Sequence, residues 1–150
     1  MSLSDIVLPK KVDLNLKAKT KEEVLEELVK MLRLSPPASK SLLATLLTRE
    51  YLGSTGVGDG IAIPHCRSLV VSRVRVVVGR SKTGVPFKSI DRKRAKLFFL
   101  VVAPPVGDPS DYLIVLGQIA QVSKKLAKDR RLSKIETPQE LIDLIKEFEK

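Results

Sequence analysis

Val12, Leu14 and Leu16 alternate with polar residues, the period of a half-buried strand. From Thr20 the period changes. Thr20 and Glu23 form a capping box, and Val24, Leu25, Leu28 and Leu32 recur at helical spacing, which predicts a helix ending before Pro36-Pro37. A second helix is expected from near Ser39 to near Tyr51, with Leu42, Leu43, Leu46 and Leu47 as its buried stripe and Arg49 in its last turn. Residues 53–60 then hold four of the chain's eight glycines, a density that no regular element survives. Residues 61–66 read as a short strand interrupted or ended by Pro64. A strand over 74–78 leads into a turn-rich loop at 82–87, and 97–102 is apolar on both faces, as a central strand should be. Asp108 as cap, Pro109 as first helical residue and Asp111 in the first turn open a long helix whose core face is read as Leu113, Leu116, Ile119, Ala120 and Leu126. Thr137 and Glu140 box the last helix, buried through Leu141, Leu144, Ile145 and Phe148.

That order, strand, two helices, several strands, two helices, predicts an α/β (α+β) fold over residues 1–150, one domain without the regular alternation of a doubly wound sheet. With 150 residues, 43% of them hydrophobic, the chain can bury a real core. The longest apolar stretch, 97–106, contains two prolines and is far short of the roughly 20 residues that cross a bilayer. The first residues carry neither the basic segment nor the apolar run of a signal peptide, so a cytoplasmic protein without membrane insertion is expected. One cysteine excludes an internal disulfide, and one histidine beside one cysteine is too small a ligand set for zinc, so no metal or cofactor is expected.

The net charge of +10 is concentrated. Residues 71–96 carry nine Lys/Arg against Asp91, and residues 124–134 carry six against Asp129. Aromatics are only 4% and none alternates with bases, so these blocks read as solvated or partner-docking faces, with no nucleic-acid binding expected.

The unusual chemistry lies between Arg49 and Arg67. The glycine spacing from Gly53 to Gly58 suggests a phosphate loop, but Asp59-Gly60 stands where Lys-Ser/Thr is required, and Ile61 replaces the third glycine of a dinucleotide fingerprint. What remains is a backbone rich in N–H donors beside one imidazole. His65 can accept a phosphoryl group by nucleophilic catalysis without a metal, with Arg49 as the cation for the resulting dianion; a buried, hydrogen-bonded histidine shaping a turn is the alternative reading. Cys66 points to the opposite face of any strand that carries His65 and reads as a core residue. Ser54 and Thr55 are turn residues or phosphate-contacting hydroxyls. Asp59 serves turn geometry, and a set of Ser54, His65 and Asp59 lacks the nucleophile elbow of a serine hydrolase.

The run Arg49-Glu-Tyr-Leu-Gly-Ser-Thr-Gly-Val-Gly-Asp-Gly-Ile-Ala-Ile-Pro-His65 closely resembles the signature of enzyme IIA domains of the fructose/mannitol class of the bacterial phosphoenolpyruvate:sugar phosphotransferase system, which includes the stand-alone nitrogen-regulatory IIA protein. The resemblance extends over essentially the whole chain. It implies a mixed β-sheet flanked by helices. It also implies that His65 takes a phosphoryl group on Nε2 from an HPr-like phosphocarrier or its nitrogen-branch relative, that Arg49 steadies the group, and that a sugar-specific IIB domain or a regulatory target receives the signal. Many members of the class carry a second histidine at the start of the long helix. Here that place holds Tyr112, which can donate a hydrogen bond to a phosphoryl oxygen but supplies no imidazole. Two functions follow, a phosphohistidine carrier and, favoured by that replacement, a docking module of the same fold that transfers nothing. Without a fused IIB or IIC domain in this sequence, the regulatory type is the one expected of a carrier.

Overall fold

The computed structural model describes residues 2–149. Residues 95–103, whose apolar run has no polar face to turn to water, become the middle of a six-stranded sheet. This strand, β6 (Ala95–Ala103), pairs antiparallel with β5 (Arg75–Val85) on one side. Its other side is shared by two short parallel strands in succession, β3 (Ile61–Ala62) against Leu97 and Phe98, then β4 (His65–Arg67) against Val101 to Ala103. The edges are β1 (Val12–Asp13), parallel to β5, and β2 (Gly56–Gly58), antiparallel to β3.

Period-2 alternation along the central strands divides the core in two. Leu97, Phe99 and Val101 of β6 pack with Val76 and Val78 beneath α1 (Leu3–Ile6), α4 (Ser110–Lys128) and α5 (Pro138–Phe148). Phe98, Leu100 and Val102 face the other way, with Val77, onto α2 (Lys21–Lys30) and α3 (Pro36–Leu52). The result is the expected mixed sheet flanked by helices, and no described helix is long and apolar enough to cross a membrane.

Several local expectations change. The helix α3 begins at Pro36, not near Ser39, because Ser35 caps it by accepting from the Ala38 N–H, and prolines at the first two positions lack only N–H groups that have no helical partner anyway. The first strand is short, yet Leu14 and Leu16 stay buried and the Leu16 N–H donates to the Arg80 carbonyl at 3.0 Å, so the edge contact continues past β1. Part of the expected loop at 82–87 belongs to β5, which runs on to Val85 through a register shift. Pro109, not Asp108, sits at the N-cap of α4, and the Asp108 carboxylate accepts from the Ser110 N–H at 2.9 Å and hydroxyl at 2.6 Å.

The buried stripe of α4 is Val115, Ile119, Val122 and Leu126; Leu113 is 60% exposed and Ala120 is also exposed. Ile119 and Leu126 are buried as expected and Leu116 packs against the core, but the sheet takes Val115 and Val122 in place of Leu113 and Ala120. The basic segment at 71–96 is not solvated throughout either. Arg80 is 4% exposed, and its guanidinium donates to the carbonyls of Leu14, Leu132 and Ile135, tying the 3-10 turn at Arg130–Ser133 to the sheet.

The burial pattern of α4 is testable by urea unfolding: Ile119→Ala should lose about 2–5 kcal/mol, whereas Leu113→Ala on the same helix should stay within about 0.5 kcal/mol.

Candidate active site

The glycine-rich segment is held from below by a buried ion pair. Glu50, in the last turn of α3 and 7% exposed, receives the Lys21 ammonium at 2.8 Å. Its carboxylate also accepts the Thr55 hydroxyl and, at 3.2 Å, the Thr55 N–H. The same ammonium lies 4.5 Å from the centre of the Phe87 ring, and the Phe87 carbonyl accepts the Ser54 hydroxyl at 2.5 Å. The Ser54 oxygen in turn accepts from the Gly56 N–H at 3.0 Å. Gly56 is glycine for want of room: a Cβ there would fall 2.2 Å from the Ser89 hydroxyl oxygen.

From Thr55 the path reaches the imidazole in two hydrogen bonds. The Ile63 N–H donates to the Thr55 carbonyl at 3.0 Å, and the Ile63 carbonyl lies 2.6 Å from His65 Nδ1. A carbonyl only accepts, so Nδ1 carries the proton and the Nε2 lone pair is left free. The peptide before the histidine is pinned as well, since the Pro64 carbonyl accepts from the Val101 N–H at 2.9 Å.

His65 is half-buried on the α4 side of β4, and the Tyr112 ring, in the first turn of α4, stands 6.4 Å from its own, tilted by 49°. Burial raises the Tyr112 phenol above its ordinary pKa, against the lowering effect of the positive Arg49 and Arg67, so it remains a hydrogen-bond donor at neutral pH. Arg49 projects from the last turn of α3, with Nη1 donating to the Gly53 carbonyl at 2.7 Å, and Arg67 Nε donates to the Pro104 carbonyl at 2.9 Å. Tyr112 thus links the His65 imidazole to the positive charges of Arg49 and Arg67.

Cys66 takes the other face, as alternation requires, and burial pushes its thiol up to about 11. The hydroxyls of Ser54 and Thr55 are committed to the loop and to Glu50, which corrects the expectation that they are available to a phosphate. Among the described residues no group of three or more His, Cys, Asp or Glu is placed to hold a metal ion. Sequence reasoning passed over Lys21, Glu50 and Arg67. Only Glu50 gave a signal, because an acid in the last turn of a helix opposes the macrodipole and calls for a partner elsewhere.

A family model described as "Phosphoenolpyruvate-dependent sugar phosphotransferase system, EIIA 2" matches residues 5–148. The chain belongs to this family. It is 33% identical to a nitrogen regulatory protein of Bradyrhizobium diazoefficiens across 89% of both chains. It is 30% identical over its whole length to the fructose-specific EIIABC component of Bacillus subtilis, of which it spans only 24%. Among solved structures, nitrogen regulatory protein IIA-Ntr from Neisseria meningitidis superposes with a TM-score of 0.83 at 25% identity, covering 95% of this chain and 98% of that one. The complex of enzyme IIA mannitol with phosphorylated enzyme IIB mannitol from Escherichia coli has the same fold, with a TM-score of 0.72 at 22% identity over 92% of this chain and 95% of that one. The chain is therefore a phosphotransferase-system component of EIIA type.

In this EIIA-type domain, Glu50→Ala leaves the partly buried Lys21 ammonium without its counter-charge and should cost about 3 kcal/mol in urea unfolding, the lower end for a broken buried pair. A thiol reagent at pH 8 should leave Cys66 unmodified in the folded protein and label it fully in denaturant, because buried thiols with raised pKa carry little thiolate.

Proposed function

We propose that His65 is the phosphoryl acceptor of a phosphohistidine carrier. The observation that carries this reading is the hydrogen bond from Nδ1–H to the Ile63 carbonyl, which presents the Nε2 lone pair for attack. In the transfer the bond between phosphorus and the donor's nitrogen breaks as the bond to His65 Nε2 forms. The Nδ1 proton stays where it is, and the Ile63 carbonyl that accepts its hydrogen bond stabilises the positive ring of the phosphohistidine. Arg49 and Arg67 offset the charge of the phosphoryl oxygens, and the Tyr112 hydroxyl donates to one of them.

The donor is a phosphorylated HPr-like carrier or its nitrogen-branch relative, and the receiver is a IIB domain or a regulatory target. Two features support a protein partner. Exposed apolar side chains lie on the segments that carry or adjoin the site: Leu52 beyond Arg49, Leu69 beyond Arg67, Val106 beyond β6 and Leu113 beside Tyr112. The mannitol relative was solved with phosphorylated enzyme IIB. A regulatory output is favoured by the match to nitrogen regulatory proteins along most of their length. The second reading, a docking module that is not phosphorylated, draws on Tyr112 standing where many relatives have a histidine.

Intact-mass analysis at neutral pH after incubation with phosphoenolpyruvate, enzyme I and an HPr-like carrier decides between them. The carrier reading expects one acid-labile phosphoryl group, absent in His65→Ala, and labelling slowed about 10²-fold in Arg49→Ala. No mass gain from a demonstrably phosphorylated donor would select the docking module, and equal labelling of His65→Ala would remove His65 from its role.

A further inference from the structure

The two basic segments converge at the end of the sheet away from His65. There a cavity of about 350 Å³ is walled by Gly60 and Ile61, by Arg80, Lys82 and Lys96 of the central strands, and by Ser133 beyond α4. That volume is at the lower end of the roughly 300–1,000 Å³ of small-molecule sites.

Its base is a buried cation without an anion. A guanidinium has five N–H donors. In Arg80, Nε donates to the Leu14 carbonyl at 3.1 Å and Nη1 to Leu132 and Ile135 at 2.8 and 2.7 Å. The two N–H groups of Nη2 have no acceptor among the described residues, and no described carboxylate forms an ion pair with Arg80. Neutral carbonyls soften the cost of burying this charge but do not cancel it. Two acids reach the cavity wall. Asp129 is already held by Arg131 at 2.8 Å, and Asp59 is exposed at the rim. Lys82 and Lys96 are exposed, and neither ammonium has a protein partner among the described residues.

We propose that this cavity binds a small dianion, a phosphate ester or a dicarboxylate, whose negative charge lies between the Nη2 side of Arg80 and the ammonium groups of Lys82 and Lys96. The site is separate from the phosphoryl site. Ile61 pairs with Leu97 and His65 with Val101, so the two lie four residues apart along β6, roughly 13 Å at strand rise. A metabolite and a protein partner can therefore be bound together. The ligand touches Gly60 and Ile61, the segment that leads into His65, and Gly60 is already fastened to β6 through its carbonyl, which accepts from the Lys96 and Leu97 N–H groups at 2.7 and 3.0 Å.

The test is an amide NMR titration of the full chain at constant ionic strength with inorganic phosphate, glucose 6-phosphate and succinate. Saturable shifts are expected at Gly60, Ile61, Ser81 and Lys82, with a Kd near or below about 1 mM for at least one probe. They should persist in His65→Ala/Arg49→Ala and weaken at least about tenfold in Lys82→Ala/Lys96→Ala, since both lysines are exposed and outside the fold's core. Arg80 is kept intact because it also ties the 130–133 turn to the sheet. Tighter binding of the phosphorylated sugar or of succinate assigns the ligand to one chemistry or the other. No saturable shift in the cavity wall up to about 20 mM of any probe overturns the site. So do shifts that vanish in His65→Ala/Arg49→Ala, which place the anion at the phosphoryl site, and shifts indifferent to the lysine substitutions.

Discussion

The direction in which Ile63 presents its backbone groups is the constraint on which the candidate site depends. Two short strands share one edge of β6 in a single register, and between them the Pro64 carbonyl still accepts from Val101 while Ile63 faces away from β6. Pro64 has no N–H to give, and the Ile63 N–H turns to Thr55. That leaves the Ile63 carbonyl for an imidazole, which is where His65 places its Nδ1 proton. Alternate carbonyls of a parallel strand face its neighbour, and with Gly60 and Pro64 turned to β6 the Ile63 carbonyl faces the other way, toward the ring. The Nδ1–H tautomer thus follows from the side of the strand that Ile63 presents, held between a buried strand on one side and the glycine-rich segment on the other.

Two buried charges stabilise this arrangement by opposite means. Glu50 is matched by Lys21 and by two donors from Thr55, so its burial is compensated inside the protein and the loop is anchored to two helices at once. Arg80 is met only by carbonyls, and part of its donor capacity is unused. The first charge belongs to the machinery that orients His65. The second holds the sheet to the segment after α4 and leaves positive potential in a cavity at the opposite end.

Much of the architecture was legible because it rests on local physics. The capping box at Thr20, the Thr137 side-chain cap, the two-sided apolar run of β6 and the helical stripes of α2 and α5 stand where the pattern put them. The α4 stripe did so only in part: Ile119 and Leu126 are buried and Leu116 packs against the core, but Leu113 and Ala120 satisfy the same period as Val115 and Val122, and only packing against the sheet breaks that tie. The start of α3 was misplaced because a proline pair reads as a stop, while the Ser35 cap turns it into a start.

For the site, the residue types and spacing between Arg49 and His65 were enough to exclude a nucleotide loop and to make the imidazole and Arg49 candidates, while the choice between a reactive and a turn-shaping histidine needed the family resemblance. The partners of Ser54 and Thr55, the pairing of Glu50 with a lysine 29 positions away and the approach of Tyr112 to His65 were decided by tertiary structure alone. Hydrogen bonds and ion pairs are set by distance in space, and separations of that length along the chain carry no information about it until the sheet and its two helical layers are assembled.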